Sequence, residues 1–168
     1  LEPYSEIYAD PKNNFQWTLP SYFMMQQLQK RYIMEPVAEI KYFDGENLVS
    51  TSSAVASGKY KDNMLYIRYR NGLSIYINCN WDGKNWTVEN GGQKYELPPG
   101  GWLAQQGKDF IEYSALEKGQ RVDFVDSPEY SYLDGHGQSV SRGGLTTDKI
   151  AIRHKTGARK GTTTFFPE

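Results

Sequence analysis

From residue 37 onward apolar and polar positions alternate, and turn residues interrupt the alternation roughly every 8–12 positions, the spacing of an antiparallel sandwich or barrel. The pattern is sharpest over Met64–Asn78, where two runs rich in β-branched and aromatic residues flank Asn71-Gly72, a strong hairpin signal. A two-residue loop there would set Ile67 against Tyr76 and Leu65 against Asn78, mixing polar and apolar side chains on each face. A three-residue loop, Arg70-Asn71-Gly72, pairs Tyr69 with Leu73, Ile67 with Ile75 and Leu65 with Ile77. That register gathers six large side chains on one face and leaves Arg68, Ser74, Tyr76 and Asn78 on the other, so it is the one expected. Gly72 then takes the left-handed position of a type I turn plus bulge.

One stretch has a different period. Met24, Met25, Leu28 and Tyr32 follow helical spacing, which predicts a helix over Leu19–Ile33. Thr18 is the expected N-cap, Pro20 suits the first turn, and Lys30-Arg31 complement the C-terminal dipole. Pro36 disfavours helix at Glu35, so the helix should stop near Ile33 or Met34. No other helix is predicted. Residues 1–18 lack periodicity and read as an extended lead-in packed by Tyr4, Tyr8, Phe15 and Trp17. The domain expectation is a lead-in plus helix at 1–36, packed on a sandwich at 37–168.

Within the sandwich, Val37–Phe43 and Leu48–Ser50 flank Asp44-Gly45. Trp81–Asn85 reads as a turn, and Trp86-Thr87-Val88 pairs with Gln93–Leu97 across Asn90-Gly91-Gly92. Pro98-Pro99-Gly100-Gly101 releases the chain into Trp102-Leu103-Ala104. Strands at Phe110–Ser114, Arg121–Val125 and Tyr130–Leu133 follow, then a polar loop over Gln138–Asp148, a strand at Lys149–His154 and a last one at Thr162–Phe166. The fold class is mainly β: an antiparallel β-sandwich with one N-terminal helix.

Composition narrows the function classes. A chain of 168 residues suffices for one ordinary domain. Its 19 basic and 20 acidic residues nearly cancel, so no global field favours nucleic acid or an anionic membrane. The single cysteine, Cys79, allows no intrachain disulfide and no cysteine metal cluster. No run is long and apolar enough to cross a bilayer as a helix. The sequence begins at Leu1, from which a piece of a longer protein is expected.

Candidate chemistry is sparse. Asp123, Asp126, Glu129 and Asp134 form the densest acidic cluster, and glycoside hydrolysis needs a carboxylate pair. Alternation, however, sends Asp123 to the solvent face of its strand, and Ser127-Pro128 reads as a turn in which Asp126 caps locally. His136 and His154 are the only histidines, in a Gly-His-Gly turn and a basic stretch, with no zinc-finger spacing. A Ca²⁺ ion in Asp134–Gln138 competes with a plain Asx turn for the same residues. No Gly-x-Ser-x-Gly elbow is present. The basic run Arg153, Lys155, Arg159 and Lys160 reads as a solvated strand and loop. No catalytic residue, metal site or cofactor is therefore expected. Thirteen Tyr and four Trp offer another chemistry, since flat rings stack on the apolar faces of pyranose sugars. Trp81, Trp86, Trp102 and Tyr76 are the candidate carbohydrate-binding residues.

Three motifs then point outward. Asn71–Asn78, Trp86-Thr87-Val88 and Leu97–Ala104 resemble the β-sandwich that follows the barrel in large glycoside-hydrolase-like proteins, and Ser127–Gly135 with Gly143-Gly144-Leu145 resembles a further signature of such C-terminal regions. The resemblance spans residues 19–150 and implies a helix leading out of a barrel, a catalytic site in that absent barrel, and an extracellular or periplasmic location. The expected function is a non-catalytic accessory module whose partners are the preceding catalytic domain and polysaccharide, with no nucleic acid and no membrane span. The alternatives are a small jelly-roll lyase or glycosidase depending on Asp126 or Glu129, and a purely structural, protein-binding module.

Overall fold

A computed structural model describes residues 11–166, with side chains of the N-terminal helix described from Thr18 on. Helix α1 spans Pro11–Tyr32 and so begins earlier than its apolar spacing predicts. Residues 11–18 are helical rather than an extended lead-in, and Thr18 lies inside the helix instead of capping it. Pro11 at the start sacrifices no needed N–H. Pro20 forgoes one backbone hydrogen bond, a local cost the helix absorbs. Tyr4, Tyr8 and the side chains of Phe15 and Trp17 lie outside the described residues. The helix ends where Pro36 requires: Ile33 N–H bonds Gln29 O at 3.1 Å and Glu35 N–H bonds Tyr32 O at 3.0 Å. Asn71 Nδ2 adds a bond to the terminal carbonyl of Arg31 at 2.7 Å.

The strands are β1 (Val37–Phe43), β2 (Leu48–Ser50), β3 (Met64–Tyr69), β4 (Ser74–Asn78), β5 (Trp86–Asn90), β6 (Gln93–Leu97), β7 (Trp102–Gln106), β8 (Phe110–Glu117), β9 (Gln120–Asp126), β10 (Tyr130–Asp134), β11 (Val140–Arg142), β12 (Leu145–Thr147), β13 (Ile150–His154) and β14 (Thr163–Phe166). The main sheet runs β14-β13-β10-β9-β8-β7-β4-β3-β1-β2, with β6 joined to β8 and β5 to β6. Every pairing is antiparallel.

The Met64–Asn78 hairpin has the expected register, with Leu65 opposite Ile77 and Ile67 opposite Ile75. Tyr69 N–H closes the loop on Leu73 O at 2.8 Å, and Gly72 is left-handed with φ 85°. Asn71 Oδ1 accepts from Leu73 N–H at 3.0 Å, which braces the turn.

Alternation sorts the core into two groups, one on each face of the sheet. On the first face Leu103, Tyr113, Val122, Phe124, Leu133 and Ala151 pack under the β5–β6 and β11–β12 hairpins, which contribute Trp86, Val88, Tyr95, Leu97, Val140 and Leu145. On the second, Ile75, Ala104, Val125, Tyr132 and Ile152 pack against Met24 and Leu28 of α1. The mainly β sandwich with an N-terminal helix is thus the fold. The central strands are buried on both faces, as the near-continuous burial of β8, β9 and β10 reflects.

Two elements depart from expectation. Helix α2 (Thr51–Ser57) interrupts the β region; Ser50 Oγ caps it by accepting from Ser53 N–H, and Gly58 closes it in the left-handed region. The stretch expected as a polar loop at Gln138–Asp148 holds the β11–β12 hairpin, because Val140 and Leu145 flanking Gly143-Gly144 find apolar cover on the sheet.

Candidate functional site

The loop between β4 and β5 carries Trp81, which is 89% exposed. Beneath it, two buried asparagines hold the backbone. Asn78, fully buried, donates from Nδ2 to Lys84 O and Leu97 O, both at 2.8 Å, and accepts at Oδ1 from Asn80 N–H at 3.0 Å. Asn80 Oδ1 accepts from Asp82 N–H at 2.9 Å and Lys84 N–H at 3.0 Å, while its Nδ2 donates to Asp62 O at 3.0 Å. Lys84 Nζ meets Asp62 Oδ1 at 3.0 Å. The loop is therefore short, cross-braced and anchored in the core, with one large aromatic ring left in solvent beside Asp82, Lys84 and Asn85.

The other aromatics proposed with Trp81 lie elsewhere. Trp86 is 3% exposed and stacks on Phe43 with ring centroids 5.3 Å apart, while Tyr76 approaches it edge-on at 5.8 Å. These rings fill the first-face core because β5–β6 folds back over the sheet, so Trp86 presents no ring face to a ligand. Trp102 packs on the opposite face, half-buried, and donates from Nε1 to Glu112 Oε1 at 3.0 Å. The four rings do not form one exposed platform.

The acidic cluster divides. Asp126 Oδ1 takes bonds from Ser131 Oγ and Lys155 Nζ, both at 2.6 Å, and Glu129 pairs with Lys30 at 2.9 Å, which holds its carboxyl below the ordinary range. Asp123, expected at solvent, is 9% exposed. It shares the helix-side face with Val125, where strands β9 and β10 set it directly opposite Asp134. His136 closes on this pair: its Nε2 is 2.9 Å from Asp123 Oδ2 and 3.8 Å from Asp134 Oδ2. The hydrogen bond to Asp123 raises the imidazole pKa against a smaller opposing effect of burial. Burial raises the Asp134 carboxyl. Asp134 Oδ1 also accepts from His136 N–H at 2.8 Å, fixing the turn in which His136 adopts φ 47°.

Further along the same face lies Glu112, fully buried and pushed up to about 8 by burial, against the Trp102 hydrogen bond and the charge of Arg31. Arg31 sits over the Phe110 ring at 4.0 Å and donates from Nη1 to Gln27 Oε1 at 2.9 Å. On the first face, a shallow cleft of about 300 Å³ is bordered by Tyr95, Tyr113, Glu117 and Arg142, whose guanidinium meets Glu117 Oε2 at 2.6 Å.

The remaining candidates have local explanations. Arg153 donates to Gly144 O at 2.6 Å and Thr163 Oγ1 at 3.3 Å, so part of the basic run serves strand pairing. His154 lies in β13 opposite Tyr130, remote in sequence register from the His136 turn. Cys79 is half-buried and burial raises its thiol, which leaves it a poor nucleophile. The Asp123–Asp134–His136 convergence escaped sequence reasoning, although an acidic pair flanking a Ser-Pro turn was its visible signal. No helix among the described residues is long and apolar enough to cross a membrane. Comparison with protein-family models, with curated proteins and with solved structures gives no significant match to this chain.

Proposed function

We propose that this chain is a non-catalytic accessory β-module of a larger, exported, glycoside-hydrolase-like protein, and that it contacts polysaccharide through the Trp81 loop. The observation that carries the reading is a tryptophan held in water on a backbone anchored by Asn78 and Asn80. An exposed indole on a pre-ordered loop loses little conformational entropy when a flat apolar ligand face stacks on it. Asp82, Lys84 and Asn85 follow it in the same loop, with Lys84 on Asp62 and Asn85 on Glu96, and bring polar groups of the kind a pyranose hydroxyl needs. Affinity electrophoresis of the chain through gels containing soluble polysaccharides tests it. Retardation by one polymer, lost in Trp81→Ala, is expected; free migration through every gel, or retardation that Trp81→Ala leaves intact, overturns it.

A second reading, a module that docks on a neighbouring domain, draws on a different observation. Ile33, Met34, Val37 and Ile40 are all exposed where α1 hands over to β1. The four fall within residues 33–40, at the α1–β1 junction, and offer apolar side chains that a neighbouring domain would cover. Replacing Met34 with a charged residue then weakens association with that domain without changing polysaccharide retention.

A further inference from the structure

Three ligand-type side chains converge at the ends of β9 and β10, where neither the core nor the Trp81 loop uses them. The β9–β10 register sets Asp123 opposite Asp134, and the turn after β10 brings His136 back over both. One ligand atom from each of the three lies within 4.8 Å of the other two. Zinc bonds to nitrogen and oxygen of about 2.0–2.1 Å put the corners of a tetrahedron about 3.3 Å apart. The distances from His136 Nε2 to the two carboxylate oxygens, 2.9 and 3.8 Å, bracket that spacing.

A separate observation concerns Asp123 alone. Asp123 is 9% exposed as a residue and 12% at its side chain, and its Oδ1, shut off from solvent, has no hydrogen-bond partner. A buried carboxylate oxygen without a donor is costly, and native proteins seldom leave one so. The carboxyl group that bears it already touches His136 through Oδ2, so the unsatisfied oxygen sits at the same cluster. A cation held by both oxygens of that carboxyl group would satisfy it.

We propose that Asp123, Asp134 and His136 form a binding site for a divalent transition-metal ion, zinc by the mixed imidazole and carboxylate donor set. The fourth position opens to water beside His136, whose side chain is 38% exposed. On binding, the imidazole coordinates through an unprotonated Nε2, any proton held there leaving to solvent while Nδ1 carries the remaining one, and the ion replaces the Nε2–Asp123 hydrogen bond with two bonds to metal. Two facing carboxylates are neutralised, and β9, β10 and the 134–138 turn become joined through one centre. One imidazole selects against calcium and magnesium, which prefer all-oxygen shells.

The test is a Zn²⁺ titration of the untagged chain in competition with a chromophoric chelator, repeated with Co²⁺ to read its visible absorption. One ion per chain is expected. His136→Asn, chosen because asparagine tolerates a left-handed backbone, and Asp123→Asn should each weaken binding at least tenfold, while His154→Asn should not. Circular dichroism and melting in metal-free buffer establish that each variant is folded. Should Asp123→Asn fail to fold, the native chain decides: the His136 ring NMR signals should shift on adding one equivalent of Zn²⁺. Absence of binding at one ion per chain, binding undiminished in His136→Asn, or unmoved His136 signals overturns the proposal.

Discussion

The Trp102 indole donates to Glu112 Oε1 at 3.0 Å, yet the second oxygen of the same carboxyl group has no hydrogen-bond partner. A glutamate this buried keeps its proton through neutral pH, because burial outweighs both the Trp102 bond and the Arg31 charge.

Stability should therefore fall as pH rises. The unfolded chain ionises Glu112 near 4.5, whereas the folded chain holds the proton to about 8. Between those values the unfolded state binds fewer protons, so the contribution is full below 4.5 and lost by 8, at up to about 1.4 kcal/mol per pH unit. His136, also raised, adds a loss of the same sign above its ordinary value of 6.5. Urea melts of the native chain and Glu112→Gln from pH 5 to 9 separate the two: the variant should show the flatter profile. Parallel profiles would remove Glu112 from the account.

Two tryptophans five positions apart should behave oppositely. Trp86→Ala empties a core site between Phe43 and Tyr76 and should cost about 3–5 kcal/mol. Trp81→Ala removes a ring already in water and should stay within about 0.5 kcal/mol. Guanidinium melts compare them directly, and equal losses would contradict the packing described.

Asn78 should be more demanding than its size suggests. Asn78→Ala strands the Leu97 carbonyl and Asn80 N–H, for about 2–3 kcal/mol. Asn78→Asp should also fail, since a carboxylate cannot donate to two carbonyls. Asn80→Ala should speed amide exchange at Asp82 and Lys84, the two amides that it holds.

Gly101 and Gly72 should differ for physical reasons. A Cβ on Gly101 would stand 2.7 Å from Ser114 O and 2.9 Å from Pro98 O, backbone atoms that cannot swing aside. At Gly72 a Cβ meets open space and only the left-handed backbone opposes it, at about 1 kcal/mol. Thermal melts should find Gly101→Ala the more damaging by at least about 1 kcal/mol.

Sequence was most informative where the causes are local. Period two and the Arg70-Asn71-Gly72 loop specify which residues of β3 and β4 face each other, and both are contained in one hairpin. The face of Asp123 was not legible the same way. Val122 and Phe124 define one apolar face, and alternation alone then assigns Asp123 to water. Helix α1 with Tyr130 and Tyr132 makes the second face an interior as well, and that layer depends on tertiary packing. Trp86 misled for a related reason: a ring at a strand's start looks exposed until its hairpin folds over Leu103 and Tyr113. The Asp123–His136 contact needed the β9–β10 register, which the Ser127-Pro128 turn did not settle from composition. Trp81 was legible because a tight turn offers a large ring nowhere to hide.

The strand order also bears on how the chain reaches this structure. Most strands pair with their neighbours in sequence, which keeps contact order low for an all-β protein and favours local zipping. Along the main path the order breaks three times, where β1 must find β3, β4 must find β7 and β10 must find β13. The hairpins inserted at the last two breaks, β5–β6 and β11–β12, both land on the same face. Two of the three non-sequential closures thus deliver the roof of the sheet, so the first-face core is completed only once β4 has met β7 and β10 has met β13.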